Sequence, residues 1–241
     1  MHGRLASFLH WWLAMTRLLE RARWLVAVPW ILCGVGLVAL TAREVKVRWL
    51  QPPTPPEIVR DVTVHSVSDE QGRRASFRIL LFSDEFRWKL ASYDAIEDGP
   101  SAPHFSEEMK KVLDSAKEII CVGASSEEVP GGVSFKTGRA QEEWRAARRA
   151  DRIAAWVRQA LSRPVPVRKL NIGHHAPTRG ARNTSDQRRV VVILVLEKDQ
   201  GINLDESLRA AMADESESAP LFDSLLTDYS LGAGKAFTWV P

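Results

Sequence analysis

The segment RVVVILVL occupies residues 189–196 and is the clearest structural signal in the chain. After its first arginine it is apolar throughout and rich in β-branched residues. Continuous runs of this kind are typical of strands that are buried on both faces of a sheet. A shorter run of the same type, EIICVG, occupies residues 118–123. The sequence therefore predicts a sheet in which RVVVILVL is central and EIICVG is buried.

The hydrophobic periodicity of the segments around these two strands predicts the other helices and strands of the same domain. Ser106 is a candidate N-cap for the first helix, and Pro164 and Pro166 stop the second. With the hairpin counted once, the element order is β-α-β-α-β-β, which predicts an α/β (α+β) two-layer sandwich over residues 59–200. The further elements are hairpin strands at 59–67 and 75–82, helices at 105–117 and 141–161, and a strand at 167–172.

An uncharged run near the N-terminus predicts one transmembrane helix. Residues 24–42, WLVAVPWILCGVGLVALTA, contain 19 residues without a charge. At about 1.5 Å per residue this length just spans a hydrocarbon core of about 30 Å. Trp24 and Trp49 flank the run at the depth expected for interfacial aromatics. Because the large domain follows the helix, we expect the N-terminus to lie inside and the domain outside the cytoplasm.

Three segments flank the predicted membrane helix and the domain. Residues 1–23 have amphipathic periodicity and are expected in the cytoplasm, either on the membrane surface or docked on a partner helix; the sequence leaves both open. Residues 43–58 contain Gln51-Pro-Pro-Thr-Pro-Pro56, which predicts a stiff spacer. Residues 201–241 form an acidic C-terminal extension with two short candidate helices, at 204–212 and 221–226.

Composition and motif spacing argue against several classes of function. The chain has 33 basic and 30 acidic residues without a basic cluster, so nucleic acid is not an expected partner. Cys121 lies within an apolar run, which is a poor setting for a nucleophile. The adjacent His174 and His175 are not accompanied by a metal-ligand motif. We therefore expect no enzymatic activity, no cofactor and no metal.

Four segments, taken in order, resemble the OmpA-like C-terminal domain. They are EIICVGASS at 118–126, RRADRIAAWVRQAL at 148–161, VRKLNIGHHAP at 167–177 and SDQRRVVVILV at 185–195. The resemblance covers residues 77–196 approximately. It implies a domain that binds peptidoglycan without covalent attachment.

The resemblance also implies a set of ligand-binding residues. In the family, an aspartate and an arginine hold the amine and the carboxylate, respectively, of diaminopimelate. The arginine corresponds to Arg149, but the aspartate position is occupied by Ser126, with Glu127 directly after it. Arg189 lies in the arginine-rich entry to the last strand. The candidate peptidoglycan-binding residues are therefore Arg149, Ser126, Glu127 and Arg189.

These observations predict a single-pass protein of the bacterial inner membrane whose OmpA-like domain is periplasmic. The domain is expected to act as a tether or assembly module that binds peptidoglycan. The alternative is a protein-interaction scaffold, or an accessory subunit of a multi-subunit membrane complex, that does not bind peptidoglycan. The expected partners are the membrane, peptidoglycan, and other membrane proteins or further copies of this chain.

Overall fold

The computed structural model describes residues 58–82, 86–97, 105–128, 135–177, 184–213, 224–234 and 236–241. All of these residues lie in one compact unit, Pro53–Pro241. The predicted amphipathic segment, the predicted membrane helix and all of the spacer except residue 58 lie outside the described ranges. Within those ranges, none of the helices is both long and apolar enough to cross a membrane.

Six strands form a single mixed sheet. The strand order is β1-β2-β5-β3-β4-β6; β3 and β4 are parallel, and every other neighbouring pair is antiparallel. The two strands predicted from continuous apolar runs, β5 and β3, lie side by side in the middle, which confirms the prediction. The strands are β1 (Ile58–Ser68), β2 (Arg74–Phe82), β3 (Glu118–Ser125), β4 (Val167–His174), β5 (Val191–Lys198) and β6 (Thr238–Val240).

The long α-helices are α1 (Glu107–Ser115), α2 (Phe135–Ala160) and α3 (Leu204–Ala213), and residues 224–227 form a further short helical segment. The predicted cap of α1 is confirmed, since Ser106 Oγ accepts a hydrogen bond of 3.1 Å from the Met109 amide. Helix α2 begins before the predicted start at residue 141, because its first turns contain Gly138 and polar residues that give no helical periodicity. A short 3-10 helix, Ser185–Arg188, precedes β5.

The sheet is covered on both faces, which adds a third layer to the predicted two-layer sandwich. Helices α1 and α2 pack on one face, where Leu113 and Ile153 meet Ile119 in the core. Helix α3 and the C-terminal residues cover the other face, where Leu208 and Phe237 are buried. The physical reason is that β3 and β5 are apolar on both sides, so both sides must be removed from water.

The closest approach between the layers lies where α2 crosses β3 at Gly123. A Cβ atom at Gly123 would lie 1.9 Å from the carbonyl oxygen of Ala146 and 2.7 Å from the amide nitrogen of Ala150. Both atoms belong to the backbone of α2 and cannot move aside without displacing the helix. Glycine at this position therefore sets the distance between α2 and the sheet.

Replacing Gly123 with alanine should push α2 away from β3. We expect Gly123→Ala to lower the free energy of unfolding by about 2–3 kcal/mol, because the added methyl group overpacks the helix–sheet contact. The control is Gly234→Ala, where a new Cβ would meet its nearest atoms at an ordinary 3.6 Å. Urea unfolding followed by circular dichroism measures both variants. Equal stability of the two would contradict the proposed contact.

Candidate functional site

Arg149 lies on the sheet-facing side of α2, and its side chain reaches the carboxyl end of β3. The residue is only 1% exposed. Its Nη1 donates a hydrogen bond of 2.8 Å to the carbonyl oxygen of Ala124, and its Nε and Nη2 donate bonds of 3.0 and 2.8 Å to the carbonyl oxygen of Ser92. One guanidinium therefore ties the end of β3 to the loop at residues 86–97.

Aromatic and cationic side chains surround the Arg149 guanidinium. It lies 5.5 Å from the ring centre of Trp88, which stacks on Trp156 at 5.3 Å. Burial, followed by repulsion from Arg145 and Arg188, lowers the pKa of Arg149 to about 9, so the group remains charged at neutral pH. Among the described residues, Arg149 makes no salt bridge with a carboxylate, and its charge is stabilised by carbonyl oxygens and the indole ring instead.

The loop at residues 86–97 is also held by Arg188. The Trp88 amide donates to the carbonyl oxygen of Arg188 at 2.8 Å, and Arg188 Nη1 donates back to the carbonyl oxygen of Trp88 at 2.8 Å. Arg188 ends the short 3-10 helix before β5. The loop is therefore bonded to two arginines from different parts of the chain.

Ser126 and Glu127, which stand where the family has its aspartate, are packed within the fold. Ser126 is buried, and the Glu127 amide donates a bond of 3.0 Å to Gln187 Oε1. The hydroxyl group of Thr184 donates to a carboxylate oxygen of Glu128. These contacts fasten the end of β3 to the segment before β5. They place Ser126 and Glu127 at the same end of the sheet as Arg149.

Arg189, the fourth candidate residue, borders a cleft at this end of the sheet. The cleft has a volume of about 210 Å³. Arg189 Nη2 lies 3.0 Å from Asp186 Oδ1, and the Asp186 side chain is 73% exposed. Ala124 connects the cleft with Arg149, because it lines the cleft and its carbonyl oxygen binds the guanidinium. The other lining residues are Leu81, Val191, Ser224, Leu225 and Tyr229.

The C-terminal segment supplies one wall of this cleft. Tyr229 is buried, and its hydroxyl group donates to the carbonyl oxygen of Gln187 at 3.2 Å. Burial raises the pKa of this hydroxyl group, so it stays protonated. The Ser230 amide donates to the carbonyl oxygen of His174 at 2.9 Å. Gly173, with φ of +85°, leaves the space for this contact, since a Cβ there would lie 2.1 Å from Ser230 Oγ.

The histidines and the cysteine considered for catalysis or metal binding occupy structural positions. Cys121 is fully buried in β3, and burial raises its thiol pKa. His174 Nδ1 lies 3.3 Å from Glu143 Oε1, which also accepts a bond of 3.0 Å from Ser230 Oγ. Burial lowers the pKa of His174, although Glu143 acts in the opposite direction. No cluster of three potential metal ligands occurs in the described ranges.

Comparison with solved structures finds weakly similar domains. The OmpA-like domain of FopA1 from Francisella tularensis subsp. tularensis SCHU S4 is 12% identical, over 58% of this chain and 82% of that chain, with a TM-score of 0.29. The periplasmic domain of MotB is 14% identical, over 65% and 84%, with a TM-score of 0.32. The cell wall anchor of the T6SS from Pseudomonas aeruginosa is 17% identical, over 55% and 89%, with a TM-score of 0.29.

The first of these structures, the FopA1 domain, carries in its name the family that the four sequence segments resemble. No protein-family profile and no curated protein matches the chain.

The structure predicts different effects for two adjacent arginines of α2. Arg149→Ala leaves the carbonyl oxygens of Ser92 and Ala124 without their donor and empties a buried site, so we expect a loss of about 3 kcal/mol in the free energy of unfolding. Arg148 has a half-exposed side chain. Arg148→Ala should change this free energy by no more than about 0.5 kcal/mol. Denaturant titration of both variants tests the difference, and similar losses would argue against the assigned role of Arg149.

Proposed function

We propose that this protein is a single-pass tether of the bacterial inner membrane, whose periplasmic domain binds the peptide stem of peptidoglycan in the cleft beside Arg189. One observation carries the proposal. A guanidinium and a carboxylate, Arg189 and Asp186, stand together at the mouth of a cleft at the end of the sheet where the resemblance places the ligand. The proline-rich spacer would hold this cleft away from the membrane.

The chemistry of the pair suits the end of a peptide stem. The distal end of diaminopimelate carries an amine and a carboxylate on one carbon, so it needs one anion and one cation a few ångströms apart. Arg189 Nη2 and Asp186 Oδ1 are separated by 3.0 Å and form an i,i+3 pair on the surface. The Asp186 side chain is 73% exposed and that of Arg189 is 23% exposed, so water reaches the pair from the Asp186 side and lowers the cost of separating it. Asp186 would then receive the ammonium group and Arg189 the carboxylate.

The remaining candidate residues have supporting roles in this proposal. Arg149 positions the end of β3 through Ala124 and does not contact the ligand, because its guanidinium is buried and already bonded. The Glu127 amide holds the segment that precedes β5 in place through Gln187, and Ser126 is buried beside it. The role proposed for the domain is binding, and no chemical step is assigned to it.

A specific observation favours a second candidate, the scaffold that does not bind peptidoglycan. The residue at the family's aspartate position, Ser126, is buried, and the segment around Tyr229 covers the neighbouring part of β4. A domain that kept the fold but no longer bound peptidoglycan would have a buried and covered site of this kind. In that case the protein would act by holding other membrane proteins, or further copies of itself, together.

Retention on purified sacculi distinguishes the two candidates. We expect the full-length chain in mild detergent to sediment with sacculi. The double variant Asp186→Asn/Arg189→Gln should lose at least about tenfold in affinity, because both charged contacts are removed. Arg152→Gln, which removes an exposed charge elsewhere on α2, is the matched control and should be retained like the wild type.

One result would count against the tether, and another against the cleft as its binding site. If the wild-type chain is not retained, the scaffold is the better account, and a partner or self-association should be detectable in the same detergent. If the double variant is retained as well as the wild type, the ligand is bound elsewhere than in the cleft.

A further inference from the structure

An aromatic patch stands out on the surface of the described residues. Leu90, Tyr93 and Trp144 are the large hydrophobic side chains that remain exposed there, at 51%, 39% and 51%. Leu90 and Tyr93 belong to the loop at residues 86–97, and Trp144 lies on α2. We refer to these three residues as the aromatic patch. It has no part in the cleft beside Arg189, whose lining residues are all different.

The two rings of the patch are held in fixed positions. Tyr93 and Trp144 contact each other edge to face, with ring centres 5.3 Å apart and an interplanar angle of 81°. Arg148 lies 5.5 Å from the ring centre of Trp144. The guanidinium lies over one face of this ring, yet both side chains remain partly exposed, Trp144 at 51% and Tyr93 at 39%. The pair therefore presents exposed aromatic surface in a fixed orientation.

The loop that carries Leu90 and Tyr93 is well bonded. The Lys89 amide donates to the carbonyl oxygen of Ala95 at 2.9 Å, and the Ser92 amide donates to that of Lys89 at 3.0 Å. Ala91 has a φ of +56°, a left-handed conformation that costs energy for any residue with a Cβ. Arg149 then fixes the loop to α2 through the carbonyl oxygen of Ser92.

The size and rim of the patch suit a sugar better than a protein surface. Stable protein interfaces use roughly 20–30 residues on each side, far more than three exposed apolar side chains. Sugar rings have one apolar C–H face, which packs on an aromatic ring, and a polar edge of hydroxyl groups. Lys89 and Asp94 adjoin the patch in the chain, and Arg148 lies one helical turn from Trp144. All three have exposed side chains that can bond to such hydroxyl groups.

We propose that the aromatic patch binds the glycan strand of the cell wall, a polymer of β-linked N-acetylhexosamines. The choice of this glycan rests on the proposed function. A sugar ring stacks on the exposed face of the Tyr93–Trp144 pair, Leu90 packs against an N-acetyl methyl group, and Arg148 and Asp94 bond to hydroxyl groups.

The patch and the cleft share one structural connection. Arg149 bonds to Ser92 in the loop of the patch and to Ala124 in the wall of the cleft. The two sites are thus attached to the same buried guanidinium, although the apolar residues that line the cleft belong to the core on the α3 face of the sheet.

Separate ligands test the two sites independently. We would titrate the full-length chain in mild detergent with glycan strands that an amidase has freed of their stems, and in parallel with a synthetic stem peptide. Isothermal calorimetry gives both affinities. The wild-type chain should bind the stem-free strands, and Trp144→Ala should weaken this binding at least about tenfold, because the stacking surface is lost. Trp144→Phe, which keeps an aromatic ring, should recover part of the affinity.

Lys111→Ala, an exposed substitution on α1, is the control and should bind both ligands like the wild type. The thermal midpoint of Trp144→Ala should match that of the wild type, which shows that the variant is folded. The proposal is overturned if the wild-type chain does not bind stem-free strands, or if Trp144→Ala binds them unchanged. Binding of the strands without binding of the stem peptide would support the patch and reject the cleft.

Discussion

One buried guanidinium connects the parts of this domain that matter for function. Arg149 projects from α2 and bonds to carbonyl oxygens at Ser92 and Ala124, which are 57 and 25 residues away in the chain. Burying this charge carries a desolvation cost, which the hydrogen bonds and the ring of Trp88 offset. Because both acceptors are backbone atoms, the interaction fixes the course of the chain itself. The loop of the aromatic patch and the wall of the cleft are both positioned in this way.

The rest of the fold brings the Arg149 guanidinium to these carbonyl oxygens and covers the faces of the sheet around it. Gly123 lets α2 approach β3 closely enough for the guanidinium to reach Ala124. On the opposite face, α3 and the C-terminal residues cover strands that are apolar on both sides. The same C-terminal residues contribute Tyr229 to the cleft. The acidic extension predicted from the sequence is thus a structural layer of the domain in its described part, and it also forms a wall of the candidate site.

The sequence predicts those features of the fold that depend on local patterns. The continuous apolar runs of β3 and β5, the cap at Ser106 and the strand order of the hairpin all follow from neighbouring residues. The third layer could not be predicted, because the contacts of α3 and Tyr229 with the sheet join distant parts of the chain. The loop at residues 86–97 has no periodicity that would indicate its structure.

Only part of the candidate site could be predicted from the sequence, because its contacts also join distant parts of the chain. Arg189 could be identified from its place at the entry to β5, and it does line the cleft. Arg149 was predicted as a ligand-binding residue from the resemblance, but neither its burial nor its carbonyl partners can be read from its neighbours. Asp186 was part of a quoted segment, yet its pairing with Arg189 at a cleft depends on the three-dimensional position of Tyr229 and Ala124.

The central claim is that Arg149 positions the site while Arg189 contacts the ligand. The most direct test is nuclear magnetic resonance of the arginine Nε–H groups in the full-length chain, recorded while the stem peptide is added. The account predicts that the Arg149 Nε–H signal exchanges slowly with solvent and stays unchanged, since it remains bonded to Ser92, while the Arg189 signal shifts. A shift of the Arg149 signal with no change at Arg189 would contradict the account and make Arg149 the ligand-binding cation.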